Sequence, residues 1–322
     1  LQVDGLQVQS VLFRDPDAIT YRVVDRALGK TFELEEFAPQ HLGPRRTGDG
    51  NIEIEAAQQP AFQKARQQFL QGARAAGQLD HPALPQVLRV IEAGGTVYQL
   101  RPDAPGHSLS EDLDRGETLD GESCRDALMT CAEALAELHR HGQVHDNITP
   151  ESLWRRTGGG WLLRGIGKSR PSGAVTAPER RDDPAQASPA SDAYALAATL
   201  LEAFTGETPA TAGERLAARE ADQGDPLEPA LETVPGALGD ALRRGLRLDP
   251  ARRPESMADW RESLDRIDWR LRMARSDEDE SDTGERRPWL PVVLAAAVTL
   301  LMVAGGVFLL SDRELPVDEW LE

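Results

Sequence analysis

Residues 143–154 read QVHDNITPESLW, and this short stretch decides how the rest of the chain is interpreted. It follows the run SCRDALMTCAEALAELHRHG (123–142), in which apolar residues recur at spacings of three and four. That periodicity predicts an amphipathic helix, and the glycine at its end, Gly142, predicts where the helix stops. Residues 143–154 are therefore expected to form a loop just past a helix, with Asn147 on that loop.

The segments before this loop predict strands first and helices later. Residues 8–37 alternate apolar and polar residues in short runs broken by Asp15, Pro16 and Gly29, which is typical of antiparallel strands. A helical run (61–79) and two strands joined by a Gly-Gly turn follow. Beyond about residue 105 the pattern is mostly helical. A small strand-rich lobe followed by a larger helical lobe is an α+β arrangement.

Eight landmarks resemble, in order and spacing, those of bacterial serine/threonine protein kinases of the eukaryotic-like type. They are RDPDAITY (14–21), FELEEFAP (32–39), FLQGARAAGQLDHPALPQVL (69–88), VHDNITPESLW (144–154), GIG (165–167), APE (177–179), SDAYALAATLLEAFTGETP (191–209) and LRLDPARRP (246–254). The resemblance covers residues 8–268. It implies a protein-kinase-like fold with a β-rich N-terminal lobe (8–102) and a larger helical C-terminal lobe (103–270).

The same resemblance implies that the catalytic groups of a protein kinase are missing. Such an enzyme needs a glycine-rich turn at the phosphates, a lysine held by a glutamate, a catalytic aspartate and two magnesium ligands. The phosphate-binding turn is replaced by Arg14, Asp15, Pro16, Asp17 and Ala18. The lysine, its glutamate, the aspartate and the two metal ligands are replaced by Glu35, Gly72, Asn147, Ser152 and Gly165. ATP and magnesium are therefore not expected to bind well, and no other cofactor or metal is expected.

Three other residues are candidates for rescuing this chemistry. Asp146 adjoins Asn147 and is the one carboxylate that could reach a substrate hydroxyl, while Arg164 or Lys168 could reach a phosphate. Such a rescue also needs magnesium ligands, which the sequence does not supply. In addition, the long cationic side chain of Arg101 is expected beside the adenine slot, where it would crowd the base. A weakly active serine/threonine kinase or an ATP-binding protein stays open as an alternative.

The resemblance also implies that the framework of the fold is kept. Glu179 and Arg253 match a buried ion pair of the family, whose breakage is costly because it leaves one charge unpaired. Asp192 matches the helix residue that holds the catalytic-loop backbone, and His139 and His145 match architectural positions. A retained framework without catalytic groups predicts a pseudokinase that acts as a signalling scaffold or an allosteric partner. Its protein partner is expected to be an active kinase or an envelope complex.

The segment between Gly165 and the APE motif offers three hydroxyl groups for regulation. Ser169, Ser172 and Thr176 could be phosphorylated by a partner kinase, since a phosphate can order a loop through nearby arginines. This is a hypothesis about regulation rather than about catalysis.

Residues 289–310 predict a transmembrane helix. The stretch WLPVVLAAAVTLLMVAGGVFLL holds 22 residues without a charge. A helix of that length is roughly 33 Å long, which is enough to cross a hydrocarbon layer of about 30 Å. Five arginines lie within residues 270–287 and one lies after the stretch, so the positive-inside rule places the N-terminal domain in the cytoplasm. The predictions are a single-pass protein of the inner membrane, a charged juxtamembrane linker (271–288) and a short outer tail (311–322), whose Trp320 could contact an envelope component.

Charge, cysteine and histidine exclude other classes of function. The net charge of −18, with no segregated basic patch, argues against nucleic acid as a partner. Cys124 and Cys131 share one helix face and are expected to be reduced core residues. The closely spaced His139, His141 and His145 lack a further ligand at metal-binding spacing, so no metal site is predicted.

Overall fold

The computed structural model describes residues 2–48, 51–166, 173–183 and 186–266, which belong to one unit spanning residues 1–272. The predicted linker, transmembrane segment and outer tail lie outside the described residues. Within the described ranges, no helix combines the length and the apolar character that a bilayer crossing requires. The membrane anchor therefore stays a prediction from the sequence.

An antiparallel sheet of six strands forms the N-terminal lobe, and two further short strands pair with each other after its fourth strand. The strands before residue 105 are β1 (Gln2–Val3), β2 (Leu6–Arg14), β3 (Ala18–Asp25), β4 (Lys30–Phe37), β5 (Arg45–Arg46), β6 (Ile52–Glu53), β7 (Arg89–Ala93) and β8 (Thr96–Pro102). The spatial order of the large sheet is β1-β2-β3-β4-β8-β7. Strand β4 is thus central, with β3 and β8 as its neighbours.

Strand β4 is more deeply buried than its alternating sequence suggests. Glu33, Glu35 and Glu36 are each at most 2% exposed. A buried carboxylate is costly unless it is paired, and each of these has a partner. Glu36 accepts hydrogen bonds from the hydroxyls of Tyr21 (2.6 Å) and Tyr98 (2.8 Å). The other two glutamates face the site described below.

One long helix, α1 (Gln59–Ala76), packs against this sheet. Its apolar residues face the strands, and the rings of Phe62 and Phe69 each lie 5.3 Å from the ring of Phe37. A proline in the first turn suits the start of a helix, since the missing N–H has no partner there. Helix α1 ends at Gly77, and residues 78–88 lead from it to β7.

The C-terminal lobe is built around a largely buried helix. Its helices are α2 (Leu109–Asp114), α3 (Gly121–Arg140), α4 (Pro178–Asp182), α5 (Pro189–Thr205), α6 (Ala212–Glu220), α7 (Glu228–Glu232), α8 (Gly236–Gly245) and α9 (Met257–Asp265). Helix α5 lies at the centre, and α3 and α8 pack against it. Cys124 and Cys131 are free thiols in this core, and burial raises the pKa of each to about 12. They are core residues, as the sequence predicts.

A small sheet interrupts the helical lobe and carries the loop of interest. Its strands are β9 (Gly106–Ser108), β10 (Leu153–Arg156) and β11 (Trp161–Leu163), in the spatial order β11-β10-β9. The sequence analysis expects helices here, because these strands are too short to show a periodic pattern. Residues 143–152 therefore connect α3 to β10.

Candidate functional site

The turn between β2 and β3, where a phosphate-binding loop is expected, is held by hydrogen bonds within the turn. The Asp15 carboxylate accepts hydrogen bonds from the backbone N–H groups of Asp17 (2.9 Å) and Ala18 (2.7 Å). The Asp15 N–H donates to the Ala18 carbonyl at 2.9 Å, and Pro16 has no N–H group. Each N–H group of residues 15–18 is therefore used within the turn or missing. A phosphate would therefore find no free backbone N–H group in residues 15–18.

Glu35, at the position of the family's lysine, is paired within the sheet. Its side chain is 1% exposed, and Arg101 of β8 forms a salt bridge with it. Arg101 also donates a hydrogen bond to Oε1 of Gln99 at 3.0 Å. Gly72 of α1 lines the same cavity as Glu35, but it has no side chain to offer. This charge pair therefore joins two strands of the sheet.

A second buried salt bridge joins the two lobes. Glu33 on β4 is 2% exposed, and Arg164, just before Gly165, is 7% exposed; their charged groups contact each other directly. Burial raises the pKa of Glu33 above its usual value, and the Arg164 guanidinium acts against that rise. Arg164 is one of the residues expected to be able to reach a phosphate. Its guanidinium is instead bound to Glu33.

Two aromatic rings from opposite lobes meet beside this salt bridge. The rings of Phe13 (β2) and Trp154 (β10) have centroids 6.2 Å apart and planes tilted by 53°. The central carbon of the Arg164 guanidinium lies 4.9 Å from the first centroid and 4.5 Å from the second. A planar base inserted between two rings needs about 3.5 Å on each face, or about 7 Å in total. The observed spacing leaves no such room.

The segment that connects the lobes has one carbonyl occupied by the protein itself. The carbonyl of Ala104 accepts a hydrogen bond from Nε1 of Trp154 at 3.0 Å. The backbone of Ala104 also acts against the rise in the pKa of Glu33.

Of the two residues at the metal-ligand positions, Gly165 contacts Asn147 and Ser152 contacts its own loop. The Asn147 side chain donates weakly to the Gly165 carbonyl at 3.4 Å. Gly165 has φ = 80°, and a Cβ there would lie 2.8 Å from the Asn147 amide nitrogen. Ser152 turns inward, where its hydroxyl donates to the Thr149 carbonyl and accepts from the Thr149 N–H, both at 2.9 Å. An aspartate at position 165 would therefore have a strained backbone conformation and would displace the Asn147 amide.

Asp146, the other candidate for rescue, is held by an arginine. Its carboxylate pairs with Arg180, with the closer oxygen 2.5 Å from the guanidinium, and the Arg180 side chain is 2% exposed. The backbone N–H groups of His145 and Asp146 donate to the Asp192 carboxylate at 2.8 and 3.0 Å. The imidazole of His139 lies 2.9 Å from the same carboxylate. Asp192 thus holds the loop backbone, while the Asp146 carboxylate binds Arg180.

Glu179 and Arg253 form a two-pronged ion pair. The two oxygens of Glu179 lie 2.6 and 2.8 Å from the two terminal nitrogens of Arg253, whose side chain is fully buried. Arg253 also donates to the backbone carbonyls of Ala190, Arg247 and Leu248. The pair fixes the end of the 173–183 segment to the start of α5.

A cleft of about 540 Å³ remains between the lobes. Asp15, Asn147, Ser152 and Arg164 are among its walls. In the part of the chain that the structure describes, no three His, Cys, Asp or Glu side chains lie close enough together to hold a metal ion. Of the remaining candidates, Thr176 is half-buried, and Lys168, Ser169 and Ser172 lie outside the described residues.

The sequence analysis misses three contributors to this site: Glu33, Phe13 and Trp154. The alternating sequence pattern of the strand predicts an exposed position for Glu33. The two aromatic residues are typical of ordinary core packing. One signal was available, since Glu33 lies two residues before Glu35 and therefore on the same face of β4. That spacing predicts two carboxylates facing the space between the lobes, and therefore a need for two cations.

Comparisons with known proteins agree on the fold. No family model matches the chain. The serine/threonine-protein kinase PknK of Mycobacterium tuberculosis is 31% identical over 217 residues, which cover 62% of this chain and 20% of PknK. The serine/threonine-protein kinase drp72 of Corynebacterium efficiens is 29% identical over 163 residues, or 46% of this chain and 31% of that protein. The chain thus matches about a fifth to a third of the length of these relatives.

Two solved structures show the same architecture. The apo form of PpkA-294 superposes with a TM-score of 0.67 at 23% identity, covering 82% of this chain and 97% of that one. The kinase domain of Mycobacterium tuberculosis PknI gives a TM-score of 0.59 at 19% identity, with the same coverage. The fold is therefore that of a protein kinase, with a β-rich N-terminal lobe and a helical C-terminal lobe. The chain is a kinase-like protein whose relatives are named as bacterial serine/threonine kinases.

Proposed function

We propose that this chain is a pseudokinase, a kinase-like module that binds a protein partner and transfers no phosphate. The observation that carries the proposal is the 6.2 Å separation of the Phe13 and Trp154 ring centroids, which leaves too little room for a purine between the two rings. The salt bridge of Glu33 with Arg164 fills the region beside them. Because the Ala104 carbonyl already accepts a hydrogen bond from Trp154, a purine in this position would have to displace protein contacts.

The phosphate side of the site supports the same proposal. The turn at Asp15 offers no free backbone N–H group in residues 15–18, and Glu35 pairs with Arg101. Removing one well-placed electrostatic group typically lowers a rate by about a hundred- to a thousand-fold. Although such losses are not additive, the loss of the lysine, the aspartate and both metal ligands leaves little of a kinase turnover of roughly 1 to 100 per second.

The proposed module is anchored to the inner membrane by residues 289–310, with the kinase-like domain in the cytoplasm. This part of the proposal rests on the uncharged stretch and the arginines before it. The proposed partner is an active kinase or a complex of the cell envelope, and not a nucleic acid. Cell fractionation tests the anchor: removal of residues 289–322 is expected to move the protein from the membrane to the soluble fraction. An unchanged distribution would refute it.

A nucleotide-binding experiment tests the proposed loss of catalysis. Thermal unfolding of the full chain in lipid nanodiscs, with and without 1 mM ATP and magnesium, is expected to show no shift. A site with a dissociation constant of 0.1 mM would add about 1.4 kcal/mol under these conditions, which corresponds to a shift of a few degrees. A magnesium-dependent shift of that size would contradict the proposal.

The alternative is a weakly active serine/threonine kinase, which the names of the relatives favour. In that case the remaining cleft of about 540 Å³ would hold the nucleotide, and Asp146 would have to leave Arg180 to act on a hydroxyl. Transfer of labelled phosphate to a peptide mixture by the full chain, and its loss in Asp146→Asn, would support this alternative.

A further inference from the structure

A pocket of about 370 Å³ lies in the C-terminal lobe, and residues of α6, α7, the end of α8 and the turn Pro250–Arg252 line it. None of its wall residues is a wall residue of the cleft between the lobes. The sequence analysis finds no segregated basic patch, but the fold gathers five arginines around this one space. They are Arg215, Arg219, Arg243, Arg247 and Arg252.

The positive charges of the pocket are only partly compensated. Three carboxylates also line it, and each pairs with one arginine. The pairs are Asp225 with Arg215 at 2.7 Å, Glu228 with Arg243 at 3.3 Å and Asp249 with Arg252 at 3.6 Å, while Arg243 also lies 3.8 Å from Asp240 outside the pocket. In the part of the chain that the structure describes, the guanidinium groups of Arg219 and Arg247 form no ion pair and no hydrogen bond. The pocket therefore presents two uncompensated positive charges.

Buried hydrogen bonds fix the backbone and one arginine of the pocket wall. Arg215 is 5% exposed, and its guanidinium donates to the Leu246 carbonyl at 2.8 Å. The backbone carbonyls of Arg247 and Leu248 accept hydrogen bonds from the buried Arg253, at 2.7 and 3.2 Å. The backbone that carries Arg247 is thus held in place without a ligand. A preorganised site of this kind loses less conformational entropy when it binds.

The stabilisation of helix ends does not account for both unpaired arginines. Arg219 lies in the last turn of α6, where a cation interacts favourably with the helix dipole. Arg247 lies beyond the end of α8, whose last turn already contains Arg243 and Arg244. Because the dipole effect falls off within the last turn, Arg247 contributes little to it.

We infer that the pocket binds a phosphorylated serine or threonine of a partner protein. A phosphate monoester carries a charge of about −1.5 to −2 at neutral pH, which matches two uncompensated guanidinium groups. The planar fork of arginine can donate two parallel hydrogen bonds to a phosphate. Leu231 and Leu248 lie in the same walls and offer apolar contacts to the residues that flank the phosphate. The inference goes beyond the proposed function, since it assigns a binding site outside the cleft.

The charge of the whole chain favours a protein segment over a membrane surface as the source of the phosphate. With a net charge of −18, the chain as a whole is repelled by an anionic bilayer. A single phosphorylated segment can enter the pocket without bringing a large anionic surface close to the rest of the chain.

Fluorine NMR with a capped tripeptide of leucine, phosphoserine and 4-fluorophenylalanine tests this inference. The full chain is held in phosphatidylcholine nanodiscs, and broadening by empty nanodiscs is subtracted. The ¹⁹F line is expected to broaden in the presence of the protein. The same tripeptide with unmodified serine is expected to bind at least about tenfold more weakly, because it offers the arginines no charge. Equal affinity of the two tripeptides would overturn the inference.

Arg247→Gln locates the binding. The affinity for the phosphorylated tripeptide is expected to fall by about tenfold, because a charge-assisted hydrogen bond is lost. The side chain is exposed, so the thermal unfolding of this variant is expected to match that of the wild type. Arg244→Gln is the matched control, since it removes the same charge from an exposed position of α8 that does not line the pocket. Unchanged affinity in Arg247→Gln, or an equal loss in both variants, would overturn the assignment.

Competition distinguishes a protein segment from other sources of phosphate. Inorganic phosphate is expected to bind at least about tenfold more weakly than the phosphorylated tripeptide, because it makes no apolar contacts. Equal affinity would mean that the pocket binds the ion alone. Loss of tripeptide binding when phosphatidic acid is added to the nanodiscs would assign the pocket to a lipid headgroup. Either of these two outcomes would overturn the assignment to a protein partner.

Failure of this inference and failure of the proposed function give different results. A magnesium-dependent thermal shift with ATP that persists in Arg247→Gln would contradict the proposed function alone. Unchanged affinity of Arg247→Gln for the phosphorylated tripeptide would contradict this inference alone.

Discussion

The Arg164 guanidinium lies 4.5 Å from the centroid of the Trp154 ring, while its charge is paired with Glu33 of the opposite lobe. One side chain from the C-terminal lobe thus contacts the sheet of the N-terminal lobe at the position where a nucleotide would hold the lobes together in an active kinase. An internal contact of this kind joins the lobes without a ligand. Any ligand entering the same space would also have to overcome the interaction energy of this contact.

Replacing Arg164 alone is expected to destabilise the protein strongly. Arg164→Met removes the cation and leaves the buried Glu33 carboxylate without it, which typically costs about 3–5 kcal/mol. Urea unfolding of the full chain in detergent micelles, followed by tryptophan fluorescence, measures the change. A loss below about 1 kcal/mol would show that the pair contributes little.

The double variant Glu33→Gln with Arg164→Met separates the interaction from the two side chains. Because both charges are removed together, the loss of stability is expected to be smaller than that of Arg164→Met alone. If the double variant loses as much as the sum of the two single variants, the pair is not coupled and the interpretation fails.

Restoring the family's aspartate at position 165 is expected to harm the fold rather than recover activity. Gly165 has φ = 80°, and a Cβ there would approach the Asn147 amide nitrogen to 2.8 Å. Gly165→Ala is therefore expected to lose about 1–3 kcal/mol of stability, and Gly165→Asp at least as much. Asn147→Ala should recover part of that loss in the double variant. Equal stability of wild type and Gly165→Ala would contradict the strain argued here.

The Glu179–Arg253 pair is expected to be essential for stability. Glu179→Ala leaves a fully buried guanidinium without its carboxylate, and the expected loss is about 3–5 kcal/mol in the same unfolding assay. Arg252→Ala is the matched control, because this neighbouring side chain is 76% exposed, and its expected change is within about 0.5 kcal/mol. Similar losses in both variants would indicate a general sensitivity of the segment rather than a buried pair.

The fold could be predicted from the sequence because its signals are local and ordered. The helix before residue 143, the alternation in residues 8–37 and the spacing of the eight landmarks each indicate one element of a two-lobed protein, and the fold agrees with them. The resemblance implies a pairing of Glu179 with Arg253 and a role of Asp192 in holding the loop backbone. In the structure Glu179 contacts Arg253, and Asp192 accepts a hydrogen bond from the His145 N–H.

The contacts that narrow the cleft could not be predicted in the same way, because they join distant segments of the chain. Glu33 and Arg164 are 131 positions apart, and the local sequence around either residue does not predict that it pairs with the other. From the sequence, Arg164 is predicted to be a free cation that could reach a phosphate. Only the three-dimensional arrangement shows that two glutamates on one face of β4 each bind an arginine. The resemblance indicates which residues stand at the catalytic positions of the kinases, whereas the sequence does not indicate which groups fill the space between the lobes.

Acid is expected to weaken the protein through His145. Burial lowers the pKa of this fully buried imidazole to about 4, although Asp192 and Asp146 oppose the shift; His139 adds to it. In the unfolded chain the pKa of this histidine is about 6.5, so the unfolded state binds the proton first as the pH falls. The stability that the neutral imidazole contributes above pH 6.5 is therefore lost between about pH 6.5 and pH 4. The loss from this residue is at most roughly 1.4 kcal/mol per pH unit.

Urea unfolding at pH 6.5 and 5 is expected to show a decrease in stability that is about 2 kcal/mol smaller in His145→Gln, which keeps an acceptor and has no titrating group. The other histidines and carboxylates are common to both proteins, so the difference isolates His145. Parallel pH profiles for the two proteins would mean that the imidazole is not held neutral in the fold.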